Sequence, residues 1–420
     1  MTQDHGISIS DLHKHIKILS QQFPRRHTGE PQEKEAVDYI VSKFEKYGLD
    51  VWINEIPVMG WEVLQAPELI LLEPENRQIE CVPFIFSGST PHGGLTGILK
   101  YVGTTLASGF LEWYKFAIVD PDTGKWKGWV VGRPDGPAIT QSGPPAGFYG
   151  TQDGPHYTWP ACIIGKSDYE AIREWLKLGK EVKVKYSVQV KYKPECKTFV
   201  VEGKIQGSKY PDEEILVCAH HDSQGAIGFP EVFNSPGACD NASSVAAILE
   251  IARKLKASGT DRTLIFCTFG GEERNFTGSR EFVRLLIETR RIEKIVGVLN
   301  LDQMANGKTL TLFCSEEEIK RPVINIKEIA EDIANDLKLS DRFPVKIVSP
   351  PLPSSDHWPF YIAGLPTMAC IWRPVHNHAY HRNKDTIEYC SQDEKYMASL
   401  SVAWEYIRRL DKLEGIKIRA

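Results

Sequence analysis

From about Thr198 to the C-terminus, apolar runs of period two alternate with runs of helical period, and this alternation limits the fold more than any other feature of the chain. Strand-like TFVVEGKIQG, EILVCAHHD, RTLIFCTFG, KIVGVLNLD, TLTLFCS and LPTMACIW are interleaved with helical runs. The spacing predicts helices over Ala242–Ala257, Gly278–Thr289, about Arg321–Leu337 and Asp393–Leu410. A strand that returns through a helix runs parallel to its predecessor. The pattern therefore predicts an α/β fold: a mixed, mainly parallel sheet flanked by helices on both faces.

At 420 residues the chain exceeds one ordinary core, so two lobes, or one domain with a large insertion, are expected. Helical spacing runs from Ile9 to about Tyr47 and stops at Gly48, predicting two opening helices. Then DVWINEIPV and PELILLEP alternate as strands do. Between about Glu80 and Pro194 short strand-like runs (GILKYVG, WYKFAIVD, GWVVGR) lie among Gly/Pro-rich segments, with a helix over about Ser167–Leu178. The expected division is 1–79 as the start of the main domain, 80–194 as an inserted β-rich lobe, and 195–420 as the catalytic remainder. The long turn-rich stretch SGPPAGFYGTQDGPHYTWP is expected to rim a cleft.

A net charge of −5 and no long Lys/Arg run argue against a nucleic-acid partner. No stretch reaches the ~18 apolar residues that span a bilayer, and MTQDHGISIS lacks a basic end followed by an apolar core. A soluble, unexported protein without a membrane partner is expected. Of 9 cysteines, Cys218, Cys267, Cys314 and Cys370 sit in or beside strand-like runs, and no C-x-x-C occurs. They read as buried thiols in a reducing cytoplasm rather than as disulfides or zinc ligands. Oligomeric state is left open, homo-oligomers included.

In open parallel sheets ligands gather where strands end. Here EILVCA runs into His220-His221-Asp222, RTLIFCTFGG into Glu272-Glu273 and KIVGVLNL into Asp302, while Cys239-Asp240-Asn241 precedes a helix. Singly, each has an ordinary explanation. The acidic pair can complement a helix dipole, Asp240 or Asn241 can cap, and His220 can be a core histidine; His221 is assigned to that last role. Together, and with His357, His376, His378 and His381 crowded into one late segment, they make a different set. Two histidines with several carboxylates and no cysteine suit a borderline divalent cation such as zinc, and an aspartate can bridge two ions through its two oxygens.

Taken in order, these motifs resemble the co-catalytic zinc aminopeptidases and their relative glutamate carboxypeptidase II, metallopeptidase family twenty-eight. The family's H-x-D is similar to His220-His221-Asp222, and its G-A-x-D-N-A-S to Gly237-Ala238-Cys239-Asp240-Asn241-Ala242-Ser243. Its G-x-E-E with a later G-S is similar to Gly270-Gly271-Glu272-Glu273 and Gly278-Ser279. Its N-x-D, S-D-H-x-x-F and H-x-x-x-D-T are similar to Asn300-Leu301-Asp302, Ser355-Asp356-His357-Trp358-Pro359-Phe360 and His381-Arg382-Asn383-Lys384-Asp385-Thr386. The resemblance implies two zinc ions, or cobalt or manganese. Asp240 would bridge them, with Glu273 and His381 completing one site and His220 and Asp302 the other. It implies Glu272 as the general base, and Asp222 and Asp385 as carboxylates orienting the ligand histidines; turn capping is the ordinary alternative for both. Cys239 and Ser244 depart from the family's usual acidic residue and glycine, and neither is a ligand position. The run PACIIGKSDYEAIREWLKLGKEVKVKY is similar to the closing part of a protease-associated domain.

The implied activity is exopeptidase hydrolysis of a peptide substrate, an aminopeptidase by preference. A carboxypeptidase would want an arginine for the α-carboxylate, with Arg133, Arg274, Arg373 and Arg382 as candidates. A single-zinc glutaminyl cyclase of the same fold shares the E-E and D-H-x-P-F features but would not need a His220–Asp302 site. A receptor-like protein without catalysis, as transferrin receptor is, would be expected to have lost ligands. Trp358, His376 and His378 are further candidates to line a pocket.

Overall fold

The computed structural model describes all residues except 1–5, 85, 108–110, 133–158, 225–234, 317–323, 374–378, 391 and 417–420. Arg133, His376, His378 and all but the end of the predicted rim loop lie outside the described residues.

The chain opens with α1 (Ile9–Lys17), extended by one π turn to Gln22, and α2 (Pro31–Tyr47). Ser8 caps α1 by accepting the Asp11 amide at 3.1 Å. Pro31 starts α2, and Gly48 ends it at φ 82°, a left-handed conformation that glycine adopts without Cβ strain.

β1 (Asp50–Glu73) follows as a single strand where two were expected. The lobe then adds β2 (Arg77–Ile79), β3 (Cys81–Pro83), β4 (Leu95–Ala107), β5 (Leu111–Val119), β6 (Trp126–Gly132), β7 (Ala161–Ile164) and α3 (Lys166–Lys177). β8 (Lys183–Ile205) returns along β1, antiparallel from Glu73↔Lys183 to Asp50↔Lys204. Register shifts such as Val58/Gly60 and Val63/Gln65 interrupt this ribbon, where bulges let so long a pair twist.

The main body continues as β9 (Tyr210–His220), α4 (Ser243–Ser258), β10 (Arg262–Phe269), α5 (Thr277–Glu288), β11 (Ile295–Asp302) and β12 (Thr309–Cys314). It closes with α6 (Ile326–Asp336), β13 (Val345–Val348), α7 (His357–Ile362), β14 (Thr367–Arg373), α8 (Ile387–Cys390) and α9 (Asp393–Lys412).

One 14-stranded sheet results, in the order β13-β12-β14-β11-β9-β10-β8-β4-β5-β6-β7-β3, with β1 on β8. Parallel pairing joins β10 to β9, β9 to β11 and β11 to β14. β8 meets β10 antiparallel, and so do most lobe pairs. The sheet is thus mixed overall and parallel at its centre. β8 enters as half of a ribbon, without the crossover helix that makes neighbours parallel. β10 and β11 are buried at every residue, as central strands covered on both faces are.

Among the described residues the central strands pack on both faces, and the lobe has a core of its own. The main core joins α1, α2, α4 and α9 to the central strands. A second core runs from Trp61, Val63, Leu69 and Leu71 on β1, through Trp113 and Phe116 on β5, to Tyr186 and Val188 on β8. The second half of β1 therefore packs with the lobe. Among the described residues no helix is long and apolar enough to cross a membrane.

Candidate metal centre

His220, Glu273 and Asp302 stand where central strands or their following turns end, and Asp240 and His381 are carried by turns that precede helices. His220 closes β9 and pairs in register with Phe269, the end of β10. Gly271, at φ 78°, then turns the chain into a short 3-10 turn carrying Glu272 and Glu273. Asp302 closes β11. Asp240 precedes α4 in a turn whose backbone is not helical, with φ −113° and ψ 87° at Asp240, and its peptide to Asn241 is cis. Asn241 binds this turn to β11: its amide donates to Leu301 O at 3.1 Å, and its oxygen accepts from Gln303 N at 3.1 Å. A helix cap was the ordinary alternative for Asn241; the structure gives it an inter-element bond instead.

The five ligand candidates and Glu272 converge. Asp240 Oδ1 lies 3.2 Å from His220 Nε2, and Asp240 Oδ2 lies 3.2 Å from His381 Nε2. His381 Nε2 is also 3.2 Å from Glu273 Oε2. His220 Nε2 is 3.8 Å from Asp302 Oδ1 and 4.0 Å from Glu272 Oε2. Two groups of ligand atoms therefore form, His220 with Glu272 and Asp302, and Asp240 with Glu273 and His381, each within 4.8 Å. The two oxygens of Asp240 face one histidine of each group.

Asp222 lies beside His220 Nδ1, its Oδ1 at 3.4 Å and its main-chain oxygen at 3.1 Å. Its carboxylate also accepts from the amides of Glu272 at 3.3 Å and Glu273 at 3.4 Å. Asp385 acts elsewhere than expected. It receives the amides of Cys239 at 2.8 Å and Asp240 at 3.0 Å, so it orients the Asp240 turn where a histidine ring was anticipated. His221 points away from the ligands, to Thr268 Oγ1 at 3.1 Å and Glu33 at 3.5 Å, a buried histidine with polar partners.

The sequence reading passed over several neighbours. Gln224 donates to Glu273 Oε2 at 3.1 Å, Tyr380 stacks on the His381 ring with centroids 3.7 Å apart, and Thr28 donates to Asp222 Oδ2 at 2.8 Å. Only Tyr380, adjacent to a candidate ligand, carried a local signal. Thr28 and Gln224 are neutral residues placed by tertiary packing.

Electrostatically the centre carries more carboxylates than its own cations balance. Burial would lower the His220 imidazole, but Glu272, Asp222, Asp240 and Asp302 lift it well above its ordinary value. His381 is pushed up to about 9, its burial outweighed by Glu273 and Asp240. Burial, with neighbouring carboxylates, raises Glu272 well above its usual range and raises Glu273 as well. Asp302 Oδ1 and Glu273 Oε1 are buried without a hydrogen-bond partner. Unpaired carboxylate oxygens are costly in such a place, and divalent cations are the partners this nitrogen and oxygen set suits. The residues present fit two such ions.

The profile described as Peptidase family M28 matches residues 201–403. The sequence is 29% identical over 226 residues to Aminopeptidase YwaD of Bacillus subtilis strain 168, covering 51% of this chain and 45% of that one. It is 22% identical over 317 residues to Carboxypeptidase Q of Xenopus laevis, covering 67% of this chain and 65% of that one. The fold is similar to that of the aminopeptidase from Aneurinibacillus sp. strain AM-1, with a TM-score of 0.67, 23% identity, and coverage of 98% and 96% of the two chains. The chain spans about half the length of the bacterial curated relative. All the candidate ligands and Glu272 fall inside the matched stretch, so the part of this chain that resembles peptidase family M28 is the part that holds the centre.

Proposed function

We propose that this chain is a metal-dependent exopeptidase, an aminopeptidase by preference, that holds two zinc ions and hydrolyses the terminal peptide bond of a peptide substrate. The observation that carries this reading is Asp240, whose two oxygens each lie 3.2 Å from a different histidine. In this reading His220 and Asp302 hold one ion, Glu273 and His381 the other, and Asp240 both. A bound pair of divalent ions supplies Lewis acidity toward the attacking water and the scissile carbonyl.

The chain's own residues then do the proton chemistry. Glu272 accepts the proton of the attacking water on its carboxylate and returns it to the leaving amine. Its burial and its crowding by Glu273, Asp356 and Asp302 raise its affinity for a proton, which suits its carboxylate to take one from the attacking water. Glu273, the next residue, turns to His381 and leaves Glu272 unshared on that side.

Of the arginines a carboxypeptidase would want for the α-carboxylate, Arg274 is engaged elsewhere: its guanidinium donates to Met59 O at 2.9 Å and lies 5.1 Å from the Phe86 ring centroid. The complete His220 group weighs against a single-zinc cyclase. Among the described residues all 9 cysteines are free, which supports a cytoplasmic location. We read the second lobe as a protease-associated module.

The test is Glu272→Gln, assayed on free-amine and N-blocked peptides with metal counted. Two metal equivalents per chain should remain while turnover falls by about a hundredfold or more, the scale of general acid–base catalysis. Loss of one equivalent would make Glu272 a ligand. Near-normal turnover would remove it from the reaction, and cleavage independent of a free amine would remove the aminopeptidase reading.

A further inference from the structure

Behind the ligands, residues 23–30 run between α1 with its π turn and α2, and Arg26, His27 and Thr28 are all buried there. Arg26 spends its guanidinium on main-chain oxygens. Nε donates to His221 O at 2.8 Å, Nη1 to Leu19 O at 3.1 Å and Pro236 O at 2.5 Å, and Nη2 to Gly237 O at 2.6 Å. The amide of Ser223 in turn donates to Arg26 O at 3.1 Å. One planar cation thus joins the chain just after His220 to the chain just before Asp240. Gly237 permits the approach: at φ 62°, a Cβ there would meet Arg26 Nη2 at 2.7 Å and Asp240 O at 2.3 Å.

Thr28 reaches the third ligand-bearing turn. Its hydroxyl donates to Asp222 Oδ2 at 2.8 Å, the carboxylate that also receives the amides of Glu272 and Glu273. Those amides begin the turn from which both glutamates project, and Asp222 simultaneously flanks His220 Nδ1. Without the hydroxyl, Asp222 would lose a fixed donor in a site with little room for water, and its rotamer would be set only by the longer contacts to the turn. Supporting bonds of this kind orient metal ligands and govern affinity.

We propose that Thr28 is a positioning residue for the hydrolysis, acting through Asp222 on Glu272, Glu273 and His220, while Arg26 fixes the spacing of the His220 and Asp240 chains. The inference rests on the reading given under Proposed function, and its metal-binding half can be measured without a peptide. Thr28→Val keeps the branched shape and removes only the hydroxyl; Thr28→Ser keeps the hydroxyl.

Zinc retention is measured by competition with a chromogenic chelator, and kcat and KM on a peptide that the parent cleaves. Thr28→Val should lose about tenfold to a hundredfold in zinc retention and in kcat, with KM changed by less than about threefold, the scale of supporting-residue effects at metal centres. Thr28→Ser should recover most of both. Arg26→Lys keeps the charge but lacks the fork that reaches these separate carbonyls, and should bind fewer zinc equivalents than the parent. Parent-like retention and kcat in Thr28→Val, or no recovery in Thr28→Ser, would overturn the proposal. Should Arg26→Lys fail to fold, the Thr28 pair alone decides. A parent chain that binds zinc but cleaves no peptide would refute the hydrolase reading, and zinc retention would still judge Thr28.

Discussion

His27 and His357 are buried histidines that the fold keeps neutral. His27 Nδ1 donates to Ser223 O at 2.9 Å, and His357 Nε2 donates to Leu352 O at 2.9 Å. The other nitrogen of each ring is buried with no hydrogen-bond partner, so a second proton would be stranded there. Burial pushes both rings down to about 4. The folded state therefore binds fewer protons than the unfolded chain between about pH 6.5 and pH 4. Stability contributed by these neutral rings is present above that window and is lost as pH falls through it. Linkage across such a window is worth about 3 kcal/mol per histidine. His357→Gln retains a donor near Leu352 O and cannot titrate. Urea unfolding from pH 7 to pH 4 should show a shallower acid loss in the variant than in the parent, by about one proton. Parallel curves would refute the assignment. His357 was legible in the sequence as part of a motif, but its neutrality was not, because it depends on the burial of its ring, against which Phe313 stacks with centroids 5.8 Å apart.

At the scale of elements, Arg291 ties strands that do not touch. β10 lies between β8 and β9, yet Arg291 donates to Glu202 on β8 at 2.6 Å and to Glu214 on β9 at 2.8 Å. Both carboxylates are buried, so removing the cation leaves two of them uncompensated. Arg291→Met should destabilise the chain by roughly 3 kcal/mol, and by less in a background carrying Glu202→Gln and Glu214→Gln, where no carboxylate is left unpaired. Denaturant midpoints in the two backgrounds check this, and an equal loss in both would exclude the ion-pair account. Such bonds explain which elements the sequence disclosed. β9, β10 and β11 are continuous apolar runs with an ionisable residue at the end, and they were found with their site residues. α4 was found within a residue from its helical period, and the end of α2 from Gly48. β1 was read as two strands because MGWEVLQA lacks clean alternation; bulges and cross-strand bonds to β8 make it one. β13 was missed, being four residues with no buried position. The ligand set was legible because its members sit in short ordered motifs, three of them at strand ends, whereas the supports at Thr28 and Arg26 lie in a segment whose meaning is set by contacts more than 190 residues away in sequence.

One ribbon joins the main body to the lobe, and only the main body carries the centre. The ligand candidates all project from the main core, while the second core, built around Trp61, Trp113 and Tyr186, contains none of them. A ligand that binds the folded form alone stabilises it by mass action, about 2.7 kcal/mol at a hundredfold excess over the dissociation constant. Bound ions should therefore stabilise the main core and leave the lobe's own packing unchanged. Stripping the metal should lower the calorimetric transition of the main core by several degrees. The lobe holds Trp113, Trp126 and Trp129 and, on its long strand, Trp61, so tryptophan fluorescence weights its unfolding. That signal should move less than the calorimetric one on chelation, and readdition of zinc should restore both. The β1–β8 ribbon argues the other way, since an unbroken antiparallel pair of this length could carry unfolding from one core into the next. The bulge at Val58/Gly60 falls between the two cores and interrupts the ladder where cooperativity would have to cross. If both signals shifted by the same amount, the ribbon would be transmitting the loss, and the two cores would unfold as one unit.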